Sequence, residues 1–126
     1  MRKIIPGLFA CLLMLPLMPI GVQAADAAKG KRVYNKCRAC HVHDKPKNKL
    51  GPHLMGIVGR ASGTVEGFKY SKAMRAADLV WDEATLDAFL TKPKKFMKGT
   101  KMSFNGLKKA SDRADIIEYM KSFSAK

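Results

Sequence analysis

Cys37, Arg38, Ala39, Cys40 and His41 form a C-x-x-C-H run. Two thiols at this spacing can add to the two vinyl groups of one porphyrin while the next residue brings an imidazole to the iron. One short segment thus supplies both tethers and an axial ligand for a c-type haem. Other uses of the same residues stay open at this point. A structural zinc site would take Cys37 and Cys40 as half of a tetrahedral set, and with no second cysteine pair only His43 or His53 could complete it. A thioredoxin-like redox pair would need a βαβ setting. A plain disulfide would leave the glycine-rich stretch that follows without support.

An iron held by one imidazole needs a ligand on its other face. Met102, in Gly99-Thr100-Lys101-Met102-Ser103-Phe104, is the candidate, because a thioether opposite histidine raises the potential of haem iron. The chain between His41 and Met102 is also long enough to wrap round a porphyrin. Met55, Met74, Met97 and Met120 are its rivals and read as fillers of core gaps. His43 is too near His41 to cross over, and His53 reads as a surface loop histidine.

The elements that must position these groups are helical. Ala27, Gly30, Val33, Tyr34 and Cys37 recur at three- and four-residue spacing, which predicts a helix from Asp26 to about Ala39 with Gly30 open to close approach. Ser111 is the expected cap of a last helix carrying Ala114, Ile117 and Met120 on one stripe. Between them, Asp82 caps a helix through Leu90 that Pro93 stops, and a shorter turn runs from Ser71 to Ala77. The span from His41 to Phe68 has no periodicity and holds five glycines, a loop far longer than a compact domain usually tolerates. A large bound apolar group would supply the missing core surface.

The 126 residues suffice for one ordinary domain. Arg2 and Lys3 precede an apolar stretch from Ile4 to Ile20 and the small-residue segment Gly21 to Ala24, which reads as a secretory signal over residues 1–24, cleaved after Ala24, with the mature domain over 25–126. An uncleaved anchor is the alternative, though the stretch is short and contains Pro6, Pro16 and Pro19. Cys11 follows Leu8, Phe9 and Ala10 much as in a lipid-attachment box, but the apolar run continues past it. Export places the protein in the periplasm, where covalent haem attachment has its route.

Several stretches in order resemble the class I cytochromes c, the mitochondrial type and its bacterial relatives. They are C-R-A-C-H, G-P-H-L-M-G-I-V-G-R, G-F-K-Y-S-K-A, Trp81 followed by T-L-D-A-F-L, P-K-K-F-M-K-G-T-K-M-S-F and D-R-A-D-I-I-E-Y-M. The resemblance runs from Lys29 to Lys121. It implies an all-α small cytochrome c fold, four to five short helices wrapped round one covalent haem c with the terminal helices crossing near Gly30, Tyr34, Ile116 and Tyr119. It further implies that the Pro52 carbonyl accepts the His41 imidazole N–H, and that Arg60, Tyr70, Ser71, Trp81 and Thr100 surround the haem propionates. Three positions depart from the mitochondrial pattern: Met74 stands for an asparagine, Phe89 for a tyrosine, and Lys98 for a proline, which frees φ ahead of Gly99.

The function these readings predict is a periplasmic one-electron carrier with His41 and Met102 on iron and no open coordination position, hence not an enzyme. A haem enzyme or gas sensor, such as a weak peroxidase, is the alternative if Met102 dissociates. Lys and Arg number 24 against 10 Asp and Glu, a net charge of +14 that favours anionic partners. From Thr91 to Lys109 there are seven lysines and no acidic residue, and Lys36, Arg38, Lys45, Lys47 and Lys49 flank the other ligand's loop. The expected partners are acidic faces of redox proteins such as a cytochrome oxidase, a quinol-cytochrome c reductase or a periplasmic dehydrogenase. Weak contact with an anionic membrane surface fits the charge. Nucleic acid is not expected, since no recognition helix accompanies the lysines. The carrier is expected to be a monomer.

Overall fold

The computed structural model describes Pro16, Leu17, Pro19, Gly21 and residues 23–124. Most of the expected leader lies outside the described residues. Five helices follow in order: α1 (Ala27–Val33), α2 (Lys72–Ala76), α3 (Glu83–Thr91), α4 (Pro93–Phe96) and α5 (Ala110–Ser122), with a 3₁₀ turn over Tyr34–Lys36 after α1. Among the described residues there is no strand, and one isolated bridge joins Ala61 to Val80. No described helix is long and apolar enough to cross a membrane.

The first helix is shorter than its periodicity predicts. Asp26 caps it, accepting from the N–H groups of Ala28 and Lys29. It then tightens, because the Cys37 N–H turns back to the Tyr34 carbonyl and the N–H groups of Cys40 and His41 both turn to the Cys37 carbonyl. The thiols and imidazole therefore sit on consecutive turns rather than on one helix face.

The last helix also begins differently from expectation. Lys109, not Ser111, is its N-cap, and it makes no side-chain cap bond. Arg113 accounts for the shift: its Nη1 donates to the Leu107 and Lys108 carbonyls and its Nε to Asp87 at 2.7 Å. That fork fixes the chain entering α5 ahead of Ser111. Asp112 in the first turn complements the helix dipole.

The two terminal helices cross at Gly30, where a Cβ would overlap the Asp115 backbone carbonyl. The Asp26 N–H also donates to the Asp115 carboxylate at 2.7 Å, so the crossing is pinned by packing and by a hydrogen bond. Tyr34 and Ile116 are fully buried at the same contact. Gly30→Val should lower stability by about 3 kcal/mol, since neither backbone can yield without separating the helices. Urea denaturation measures it, and an unchanged midpoint would contradict this close contact.

The middle of the chain matches its signals more closely. The Asp82 carboxylate accepts from the Thr85 N–H, and α3 buries Leu86, Phe89 and Leu90. Ser71 caps α2 through the Met74 N–H. Pro93 follows α3 as expected and also opens α4, where its missing N–H needs no partner. The long loop is tied down by Gly59 to Trp81, Trp81 to Arg60 and Ser62 to Leu79 backbone bonds. These hold the loop over the helices while leaving one large space between them.

Candidate functional site

That space is a cavity of about 370 Å³. All ten residues singled out from the sequence line it: Cys37, Cys40, His41, Pro52, Arg60, Tyr70, Ser71, Trp81, Thr100 and Met102. They come from six separate stretches of chain, so the fold, not the local sequence, gathers them. Leu54, Ile57, Leu86, Phe89 and Leu90 make much of the remaining wall apolar.

The imidazole is held from two sides. His41 Nδ1–H donates to the Pro52 carbonyl at 2.7 Å, and since a carbonyl can only accept, the proton is on Nδ1 and the Nε2 lone pair is left for a ligand. Behind the ring, Gly51 leaves no room for a side chain, because a Cβ there would overlap the imidazole. Burial, partly opposed by the Pro52 bond, holds the imidazole pKa below the ordinary 6.5. The ring is therefore neutral at neutral pH, the form that binds a metal.

Both thiols are free. Cys37 is buried, and its pKa is pushed up to about 11, chiefly by burial. Among the described residues no group of three or more His, Cys, Asp or Glu could hold a metal ion by itself. His43, one of the two histidines that could complete a zinc set, is instead engaged through Nε2 with the Tyr119 hydroxyl at 3.0 Å.

One part of the wall is built for anions. Arg60 is half-buried, with Nη1 donating to the His53 and Met55 carbonyls, yet its enclosed Nε has no partner. Tyr70 accepts from the Val65 N–H, Ser71 from Met74 and Thr100 from Met102, so each hydroxyl already accepts one hydrogen bond. Among the described residues no hydrogen bond uses their O–H groups as donors. An orphaned guanidinium N–H beside three uncommitted hydroxyl donors fits carboxylates entering the cavity, and the apolar remainder fits a large planar ring.

The methionine candidates separate by position. Met74, Met102 and Met120 line the cavity, whereas Met55 and Met97 do not. Met120 is buried on α5 and Met97 is buried near α4, both as core fillers. His53, read from sequence as a surface histidine, is half-buried with Nδ1 enclosed and unpartnered, and burial lowers its pKa.

Sequence reasoning missed one cluster beside the site. Tyr34, His43, Tyr119 and Phe123 pack edge-on or tilted at centroid distances of 4.7 to 5.9 Å. It joins the loop after His41 to the end of α5. No spacing signal could reveal a pair as distant in sequence as His43 and Tyr119.

Comparison with known proteins gives the same picture. The model of the family described as Cytochrome c matches residues 27–124. Cytochrome c 2.1 of Caenorhabditis elegans is 51% identical over 106 residues, covering 83% of this chain and 96% of that protein. Cytochrome c2 of Blastochloris viridis is 41% identical over 126 residues, 99% of this chain and 96% of its own length. Among solved structures, cytochrome cH from Methylobacterium extorquens superposes with a TM-score of 0.74 at 40% identity, covering 78% of this chain and 99% of its own.

Proposed function

The chain belongs to the cytochrome c family, and on that premise we propose a periplasmic one-electron carrier with His41 and Met102 as axial ligands and Cys37 and Cys40 as the covalent tethers. It is a haem-based electron carrier rather than an enzyme, and its cofactor is a covalently attached c-type haem. When bound, that group supplies a one-electron iron couple. The observation that carries the ligand assignment is the gathering of both thiols, a neutral imidazole with a free Nε2 and the Met102 thioether on one cavity wall system.

Each residue then has a task. Cys37 and Cys40 would tether the porphyrin through thioether bonds. The Pro52 carbonyl orients the His41 ring, and Met102 fills the position that a substrate or gas would otherwise take. Arg60, Tyr70, Ser71 and Thr100 would donate to the propionates, with Trp81 lining the same cavity. Removal of residues 1–24 on export yields the working chain. Mass spectrometry of the protein isolated from the periplasm should give residues 25–126 plus one haem. Redox titration should follow a single one-electron step, and the reduced form should not bind carbon monoxide. Haem on an intact N-terminus would mean an anchored carrier, and ready carbon monoxide binding would favour the sensor or peroxidase reading.

The partners follow from the charge. Lys36 and Lys101 stand at the cavity lining, and Lys94, Lys95 and Lys98 are exposed on the segment that leads to Met102. Lys121 is elsewhere, bridging Glu83 and Glu118 between α3 and α5. Steering by such a ring fades as the Debye length shrinks from about 10 Å at 0.1 M to about 3 Å at 1 M salt. Second-order electron-transfer rates with an acidic redox partner should fall steeply over that range. Charge reversal at Lys94, Lys95 or Lys101 should slow them more than reversal at Lys121 or at Lys126, which lies outside the described residues. Equal effects at both sets, or rates indifferent to salt, would reject the steering ring.

A further inference from the structure

The chain contains three asparagines, and their surroundings differ. Asn35 accepts from Arg38 Nη1 at 3.1 Å. Asn48 donates to the Glu66 carbonyl at 3.1 Å and accepts from the His53 N–H at 3.0 Å. Asn105 is exposed, lies outside any helix, and makes no hydrogen bond among the described residues. It is also the only one followed by glycine.

That glycine cannot be exchanged. Gly106 has φ of 95°, a left-handed conformation, and a Cβ there would overlap the Thr91 carbonyl of α3. The next residue is anchored, since the Leu107 N–H donates to Leu90 at 2.8 Å and its side chain is buried. Among the described residues the Gly106 N–H itself is not engaged. A free side-chain amide therefore precedes an unhindered backbone nitrogen that packing keeps bare of a side chain.

We propose that Asn105 is a self-modifying site: a spontaneous deamidation that slowly adds a negative charge beside the Met102 loop. The Gly106 backbone nitrogen loses its proton and bonds to the Asn105 side-chain carbonyl carbon. The bond from that carbon to the amide nitrogen breaks, and the nitrogen leaves as ammonia with the proton. Water then opens the five-membered imide at either carbonyl, giving aspartate or isoaspartate. One water enters, one ammonia leaves, and nothing is oxidised or reduced. Lys101, Lys108 and Lys109, unopposed by any acid from Thr91 to Lys109, favour the anionic nitrogen and the oxyanion through which the step passes.

The product is a carboxylate three residues beyond Met102, inside the lysine-rich segment. It would be the first negative charge in that segment and would weaken the field that draws an acidic partner. The modification needs nothing from the carrier assignment, whereas this kinetic consequence rests on it.

The test incubates the haem-loaded protein in warm, mildly alkaline buffer and follows ammonia release and peptide maps that separate aspartate from isoaspartate. The free peptide spanning Met102–Lys108 and the Asn105→Gln variant serve as references. Modification should be confined to Asn105, proceed within about tenfold of the free peptide's rate because exposed loops open at little free-energy cost, and be absent at that position in Asn105→Gln. An intact Asn105 after the peptide has converted, or equal conversion at Asn35 and Asn48, would overturn the assignment. For the consequence, Asn105→Asp should slow electron transfer to an acidic partner severalfold at low salt and leave it unchanged at high salt. An unaltered low-salt rate would overturn the kinetic role. Salt-indifferent transfer by the unmodified protein would instead refute the steering ring, with the peptide maps still deciding the modification.

Discussion

Protein carrying Cys37→Ser and Cys40→Ser is expected to accumulate only in trace amounts, without covalent haem and without a cooperative unfolding transition. The cavity these residues line measures about 370 Å³, and unfilled apolar space costs about 24 cal/mol per Å³, or about 9 kcal/mol in total. That is comparable to the entire 5–15 kcal/mol of stability of an ordinary domain. Each single substitution keeps one tether and should retain haem at reduced yield. Haem staining of denaturing gels together with far-UV circular dichroism decides the matter. A double variant that melts cooperatively without haem would show that the fold stands on protein contacts alone.

Met102→Ala should leave haem attached and the fold intact while lowering the reduction potential by on the order of 0.2 V, because a thioether trans to histidine favours the reduced iron. The sulfur-to-iron charge-transfer band of the oxidised form should vanish, and the reduced form should gain a site for carbon monoxide. Met74→Ala and Met120→Ala are the informative controls, since only these two other candidate methionines line the same cavity. Loss of the band in Met74→Ala and its survival in Met102→Ala would transfer the ligand to α2. Thr100 should act less strongly: its Oγ accepts from the Met102 N–H at 3.3 Å, so Thr100→Val should loosen the ligand loop without removing the ligand.

How much was legible in the sequence depended on how local the information was. The C-x-x-C-H run is contiguous, so its chemistry could be read without knowing any fold. Asp82 and Ser71 were legible as caps because a cap acts on N–H groups two or three residues away. Ser111 misled for the complementary reason: a serine is a good cap, but the start of α5 is set by Arg113 reaching Asp87 on another helix. The early end of α1 is likewise decided by the turns that carry the thiols, which helical periodicity does not register. The site residues Arg60, Tyr70 and Trp81 entered through resemblance alone, since nothing in their spacing announces that they share a cavity. The orphaned Arg60 Nε and the His43–Tyr119 bond could emerge only from tertiary packing.

The two-sided grip on His41 bears on speed rather than on stability. A carrier whose iron changes charge must rearrange its surroundings at every transfer, and each displaced atom adds to the barrier. With Pro52 holding Nδ1 and Gly51 pressed against the ring, the imidazole has little freedom to turn or slide between oxidation states. The polar environment is set before the electron arrives, so little reorganisation is left for the moment of exchange. Relaxing the grip would lengthen each hop even where the midpoint potential and the docking surface remained the same.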